Sequence, residues 1–390
     1  MKQRKIALMT AGVLLTSVVL CSCSGVGTQK ASEYDDGKMR SDLDAQTVAK
    51  EMGMGINLGN TLEAFWEDKS NETAGCSVIG DSAQSYETCW GAVETTQEAI
   101  DGMKTAGFDT VRIPVYWGNM MKDDGSYEIA EAYFDRVEEI VNYCRKNDQY
   151  VIVNIHHFDE FLIKNKPKEE VLEITENLWT QIAQRFRNYS DYLVFEGFNE
   201  NLGSQRESDT YSEDELFDYT NEMNQVFVDA VRSTGGNNKN RILIASGYWT
   251  NIDLTTDARF QMPEDTAEDK MMVSVHYVDN AMYWSNKIGG DQWLEYSTAQ
   301  CELLKNAFTD KGIPVFVGEC TSIYNDHYSP AYHEKDSTAC LETMMQMLMD
   351  YGFVPVLWDV SGNFYSRTEN RVISEADAAL MQKLAEELRG

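Results

Sequence analysis

Basic residues are scarce in this chain. Lysine and arginine number 33 among 390 residues, against 64 aspartates and glutamates, for a formal net charge of −31. The first 22 residues hold Lys2, Arg4 and Lys5 and no acid, so setting aside their +3 leaves the remainder at −34. Such a surface repels phosphate backbones and excludes nucleic acid as a partner. It leaves neutral and cationic partners open and serves solubility. Proline is also rare, with six residues, no proline-rich linker, no internal repeat and no shift of composition along the chain. One large domain is expected.

Cysteine occurs without the spacing of a zinc site, because neither CxxC nor a Cys/His ligand pattern is present. Beyond Cys21 and Cys23 the chain has Cys76, Cys89, Cys144, Cys301, Cys320 and Cys340. Cys76 and Cys89 bracket a Gly/Ser-rich loop, where a disulfide and two separate thiols are both open. The other four sit in apolar or helical settings and read as buried thiols. Long hydrophobic runs are missing too, apart from Ile6 to Leu20 within "MKQRKIALMTAGVLLTSVVLCSCSG". A basic start, an apolar stretch and then small residues make an export signal. "LCSC" resembles a bacterial lipobox with Leu20 at minus three, Ser22 at minus one and Cys23 as the lipidated residue. An uncleaved membrane anchor is the alternative, disfavoured because the run is short for a span. The expected organisation is a signal peptide over 1–22, a polar flexible tether over 23–45, and an extracytoplasmic folded domain over 46–390.

What the chain has in quantity is short, continuously apolar segments. "MGINLGN", "TVRIPVYW", "YVIVNIHH", "YLVFEGFNE", "RILIASGYW", "MMVSVHYV", "PVFVGECT" and "VPVLWDVS" read as strands covered on both faces. Helical patterns separate them, such as "TTQEAIDGMKTAG", which starts on a Thr cap and stops at Gly107. Only the link from Thr250 to Lys270 lacks a long helix. The alternation favours an α/β fold, a single (β/α)8 barrel, over a doubly wound open sheet.

Several strands finish on polar groups, although burying a carboxylate is costly unless it is paired or used. A barrel resolves this, because its active site collects at the carboxyl ends of its strands. Those ends present Asn57 and Asn60, Arg112, His156 and His157, Asn199 and Glu200, Trp249, His276 and Tyr277, Glu319, and Trp358 with Asp359. Two carboxylates facing one cleft make a glycosidase site: one protonates the leaving oxygen and the other attacks or activates water. A neighbouring cation keeps one ionised while burial favours protonation of the other.

"INLGNTLEA", "TVRIP", "NIHH", "FNE", "VHY", "GE" and "LWD", in this order, resemble glycoside hydrolase family 5, the cellulase-type branch of clan A, from about Met52 to Ser361. The resemblance implies a (β/α)8 barrel, no metal or other cofactor, and retention through a glycosyl-enzyme intermediate. It makes Glu200 the acid/base and Glu319 the nucleophile, with Arg112, His156, Asn199 and His276 around them. Asn57, His157 and Trp358 become sugar contacts, with Trp358 the platform on strand 8, and Trp249 at the end of strand 5 is expected to be another. The resemblance implies a β-glucan polysaccharide partner; with the lipobox, membrane contact is expected only through the lipid anchor, and the enzyme is expected to be a monomer.

The family usually places Tyr two residues after the strand-6 His, where this chain has Val278. Tyr277 stands one place after, and strand alternation turns it to the other face, so it needs a bulge to reach Glu319. It is therefore grouped with the sugar contacts, and Tyr283 is the substitute. Trp66, Trp90, Tyr283 and Trp284 lie in loops that line outer subsites if they overhang the mouth. Glu196, four residues before Glu200, reads as a buried counterion for Arg112. His156 and His157 point to opposite faces and complete no metal-ligand triplet. His327 and His333 read as solvated. The expected activity is an endo-β-1,4-glucanase on cellulose-type, mixed-linkage or xyloglucan chains. Mannanase is the alternative on the same mechanism. A non-catalytic glycan-binding lipoprotein is the alternative from another class.

Overall fold

The computed structural model describes residues 31–40, 42–65, 82–122, 124–158, 166–208, 210–278, 290–321, 337–360, 362 and 364–390. The export signal, Cys23, Trp66, Cys76, Tyr283, Trp284, His327 and His333 lie outside them.

Eight parallel strands close into a barrel in sequence order. They are β1 (Gly55–Asn57), β2 (Thr110–Ile113), β3 (Tyr150–Asn154), β4 (Leu193–Glu196), β5 (Leu243–Ser246), β6 (Met271–His276), β7 (Val315–Thr321) and β8 (Val354–Trp358). Each falls within one of the apolar segments. A two-stranded antiparallel hairpin, β9 (Tyr365–Ser366) with β10 (Arg371–Val372), follows β8. The longer helices are α1 (Ala45–Met52), α2 (Gln97–Thr105), α3 (Glu131–Lys146), α4 (Lys168–Arg185), α5 (Glu213–Ser233), α6 (Asp291–Ala307), α7 (Ser337–Asp350) and α8 (Glu375–Arg389). Local chemistry sets their ends. The Thr96 side chain accepts the Ala99 N–H at the start of α2, and Ser212 with Glu215 forms a capping box on α5. Between β5 and β6 only a 3-10 turn (Tyr248–Thr250) and the four-residue helix Ile252–Thr255 form, as expected for a link without long periodicity.

Two apolar clusters hold the barrel. The larger packs the helices on the outer strand faces. A smaller one fills the lower interior with Ile152, Val194, Ile244, Met272, Phe316 and Val356, and is closed from below by Val48 and Met52 of α1 with Leu43. The segment read as a tether is docked over residues 31–40 and 42–44, which corrects that expectation. Asp35 is buried, accepting the Ser190 N–H (2.9 Å) and hydroxyl (2.7 Å) and the Arg145 Nε–H (2.8 Å). Arg40 donates to Asp191 (2.7 Å) and Glu51 (2.9 Å). No polar periodicity announces such docking, because it rests on single ion pairs rather than on a repeated face.

Period-two alternation carries the interior upward from this floor. Two residues above Ile152, Val194 and Met272 come Asn154, Glu196 and Ser274, joined by hydrogen bonds from Asn154 Nδ2 (3.1 Å) and Ser274 Oγ (2.7 Å) to Glu196. Strand β7 breaks the alternation. Its register against β8 advances three residues, Val317 to Cys320, while β8 advances two, Pro355 to Leu357. Against β6 it also gains one, since Val275 pairs Val317 and His276 pairs Glu319. One extra residue therefore sits in β7 beside Gly318 and Glu319, a bulge that turns the strand end.

Candidate active site

That bulge aims Glu319. Phe316 and Gly318 face the interior, where a Cβ on Gly318 would lie 3.1 Å from Glu196 Oε1. Strict alternation would point Glu319 outward at the helices. Displaced by the extra residue, it lies inside the mouth, and its side chain is only 5% exposed.

Arg112 organises the site. It is wholly buried on β2, and its Nε donates to Glu196 Oε2 (2.7 Å). Its Nη1 donates to Glu319 Oε1 (2.9 Å) and Asn57 Oδ1 (3.0 Å), and its Nη2 to Asn199 Oδ1 (2.9 Å). Burial works against its charge, and the carboxylates of Glu196 and Glu319 outweigh that, so its pKa rises. Glu196 is thus the counterion that the sequence suggested. Asn57 is not a sugar contact: it has no exposed surface, and its Nδ2 donates to the Gly318 and Leu357 carbonyls (2.9 and 3.1 Å). It ties β1 to β7 and β8 under the site.

Tyr277 departs from expectation in the opposite direction. Its hydroxyl donates to Glu319 Oε2 at 2.7 Å, and its N–H to the Glu319 carbonyl at 2.8 Å. Two devices achieve this: the extra residue lies in β7 rather than β6, and Tyr277 takes a left-handed φ of 49°. Val278 turns into the core. Burial, with the charges of Glu319 and Glu200, raises the tyrosine pKa well above its ordinary value, so the phenol keeps its proton. Tyr277 thus supplies the tyrosine contact to Glu319 whose absence would favour a non-catalytic glycan-binding protein.

Glu200 stands on the segment after β4, its side chain 35% exposed, with its Oε1 2.9 Å from His276 Nδ1. That nitrogen is also 3.8 Å from Glu319 Oε2. One carboxylate oxygen each from Glu200 and Glu319 and one His276 nitrogen all lie within 4.8 Å of one another. They come from β6, β7 and the segment after β4, which is why no linear spacing showed them as a triplet. As a metal site the set fits poorly. Glu319 already receives Arg112 on one oxygen and Tyr277 on the other, and a guanidinium at 2.9 Å repels a second cation.

The remaining sequence-predicted residues frame this centre. His156 is buried, with its ring near-parallel to the half-buried Trp358 (10°, centroids 6.1 Å apart). Burial, then the charges of His157 and Arg112, push its pKa well down, so it is neutral. His157 has a φ of 50° and sets its ring edge-on against Phe65 (5.1 Å) and Trp90 (5.7 Å). Its burial lowers its pKa to about 4. Trp249 also has a left-handed φ, of 51°, with the Arg206 guanidinium 5.1 Å from its ring. It lines a cavity of about 320 Å³ with Glu200, His276, Tyr277, Asn251, Tyr296 and Gln300. Tyr296 and Gln300 escaped the sequence reading because they stand on α6, away from any strand end, and Asn251 because it caps the short helix Ile252–Thr255, two residues past Trp249.

Fold and site define a (β/α)8 hydrolase of the paired-carboxylate kind. A family model described as cellulase (glycosyl hydrolase family 5) matches residues 70–364, and the chain belongs to that family. It is 34% identical over 319 residues to Endoglucanase 1 of Ruminococcus albus, covering 81% of this chain and 73% of that one. Among solved structures, it is similar to a GH5-4 broad specificity endoglucanase from Ruminococcus champanellensis with bound cellotriose. That match has a TM-score of 0.75 and 31% identity, over 88% of this chain and 99% of that one. It is also similar to a Bacteroides ovatus GH5 xyloglucanase in complex with a XXXG heptasaccharide (TM-score 0.77, 28% identity, 92% and 80% covered).

Proposed function

We propose that this chain is a retaining endo-β-1,4-glucanase acting on cellulose-type, mixed-linkage or xyloglucan chains. The observation that carries the reading is the approach of Glu200 and Glu319, whose nearest atoms lie within 4.8 Å. A separation of about 5–5.5 Å between carboxyl groups belongs to retaining enzymes, and a wider one leaves room for the water of an inverting enzyme. In the first step an oxygen of Glu319 bonds to the anomeric carbon as the bond to the leaving sugar breaks, and Glu200 gives its proton to the departing oxygen. In the second, Glu200 takes a proton from water, whose oxygen displaces Glu319 and restores the starting configuration. The division of roles is supported by the surroundings. Glu319 is buried and fixed on both oxygens, as a nucleophile must be, while Glu200 is open to the cleft. Trp358 and Trp249 serve as faces for sugar rings.

Glu200→Ala is expected to slow glucan hydrolysis by about 10²–10⁴-fold. It should still be glycosylated by an aryl cellobioside whose leaving group needs no proton, and azide should rescue it with a β-glycosyl azide. Glu319→Ala should lose the covalent step and give the α-azide. Full turnover of soluble β-glucan by either variant would end the assignment. Rates on carboxymethylcellulose, barley glucan, xyloglucan and mannan test the substrate, and preference for mannan would replace glucan by mannan.

The lipobox ending at Cys23 supports a lipid-tethered enzyme outside the cytoplasm. Cys23→Ala is expected to shift the enzyme from the membrane fraction to the soluble one, and its retention in the membrane would contradict the tether.

A further inference from the structure

The barrel closes between β8 and β1, and Trp358 sits on this seam. Closure there is thin, with Gly55 opposite Val356 and Ile56 opposite Leu357. Just above, Gly59 bridges Val360 and its N–H donates to the Asp359 carbonyl at 3.1 Å. The fit is close: a Cβ on Gly59 would lie 2.5 Å from that carbonyl and 3.2 Å from two indole carbons of Trp358. The indole therefore rests on the Gly59 backbone, and any movement of this seam moves the ring.

A buried arginine from the β9–β10 hairpin grips the same spot. Arg367 is 3% exposed, and its Nη2 donates to the Gly59 carbonyl (2.9 Å) and the Asp359 carbonyl (3.2 Å), one on each side of the seam. Among the described residues no carboxylate lies within ion-pair distance of it, and its Nε and Nη1 have no hydrogen-bond partner. Asp359, the residue after the indole, is also fully buried. Its Oδ1 accepts the Phe364 and Tyr365 N–H groups (2.9 and 3.3 Å), which folds the hairpin back under the seam. The hairpin is itself anchored, since the Tyr365 hydroxyl donates to the Ala99 carbonyl of α2 (2.8 Å). Burial works against the charge of Arg367, and Asp359, Glu63 and Glu87 offset only part of that from beyond contact distance.

We propose that Arg367, seated by Asp359, is a positioning residue: by joining the Gly59 and Asp359 carbonyls across the β8–β1 seam it fixes the plane of the Trp358 indole against the sugar. This rests on the reading of Trp358 as a sugar platform. The arginine touches no substrate. It acts through the backbone that carries the ring, so its removal costs only what the indole was contributing.

A double-mutant cycle on kcat/KM for cellopentaose, with Trp358→Ala as the second axis, tests this. Arg367→Met is expected to lower kcat/KM about tenfold in the otherwise unchanged enzyme and less than twofold in the Trp358→Ala background. Arg367→Lys, which keeps a cation able to reach a carbonyl, is expected to recover to within threefold. Should Arg367→Met fail to fold, Asp359→Asn enters the same cycle. It keeps an oxygen for the two N–H groups, and a threefold loss that vanishes without Trp358 is expected. Equal losses in both backgrounds, or no loss in the first, overturn the proposal. A Trp358→Ala loss below threefold removes the platform reading, and the proposal falls with it, whatever Arg367→Met does.

Discussion

The lower and upper halves of the barrel interior are built from the same strands by the same alternation, yet different physics holds them. Below, Ile152, Val194, Met272 and Phe316 close against α1 in an apolar cluster. One step higher on the same strands, Asn154, Glu196 and Ser274 surround Arg112 with hydrogen bonds and opposite charge. Apolar contacts are non-directional and tolerate small changes of shape. A buried ion network is directional, and it costs most when half of it is removed. The floor makes the barrel, while the layer above it aims the chemistry at no further cost in chain length.

Three substitutions sharpen or break this contrast. Glu196→Gln, which keeps shape but removes a countercharge from Arg112, is expected to cost about 3–5 kcal/mol in denaturant unfolding. It should also lower kcat, because Arg112 then swings toward Glu319. Unchanged stability would show that the upper layer behaves like the floor. Tyr277→Phe removes a hydrogen bond to a charged group, worth about 1.5–3 kcal/mol. A fall of roughly 10–100-fold in kcat, with a loss of stability no larger than that bond, is expected from steady-state kinetics and denaturant unfolding. Smallest is Ile152→Val in the floor, at about 0.5–1.5 kcal/mol of stability with kcat unchanged. A kcat defect there would couple the two layers.

The same contrast explains what could be read beforehand. Strand order and closure were legible because strands covered on both faces are continuously apolar. Glu200 and Glu319 were legible because polar groups ending such runs need a shared use, and Arg112 because a cation inside an apolar strand, in the "RIP" the family shares, needs acidic partners. The pairing of Arg112 with Glu196 followed from alternation inside regular strands. Alternation fails where the strand is irregular, and there the reading failed too. Tyr277 was assigned to the wrong face because the extra residue lies in its neighbour β7. Asn57 was taken for a sugar contact because a polar residue at a strand end looks the same whether it faces the cleft or bonds backbone beneath it. Arg367 sits in "YSRTEN" with no periodicity, and only the fold-back of the hairpin after β8 brings it to the seam. The docking of Asp35 and Arg40 was hidden for the same reason.

The odd residue in β7 also bears on how this centre can be copied. A designer grafting the acidic pair onto a scaffold of ideal strands would reproduce every side chain and still send Glu319 into the helical shell. The instruction that makes the protein an enzyme is thus partly a matter of counting, one residue more than the ladder calls for, and substitution tables alone do not record it.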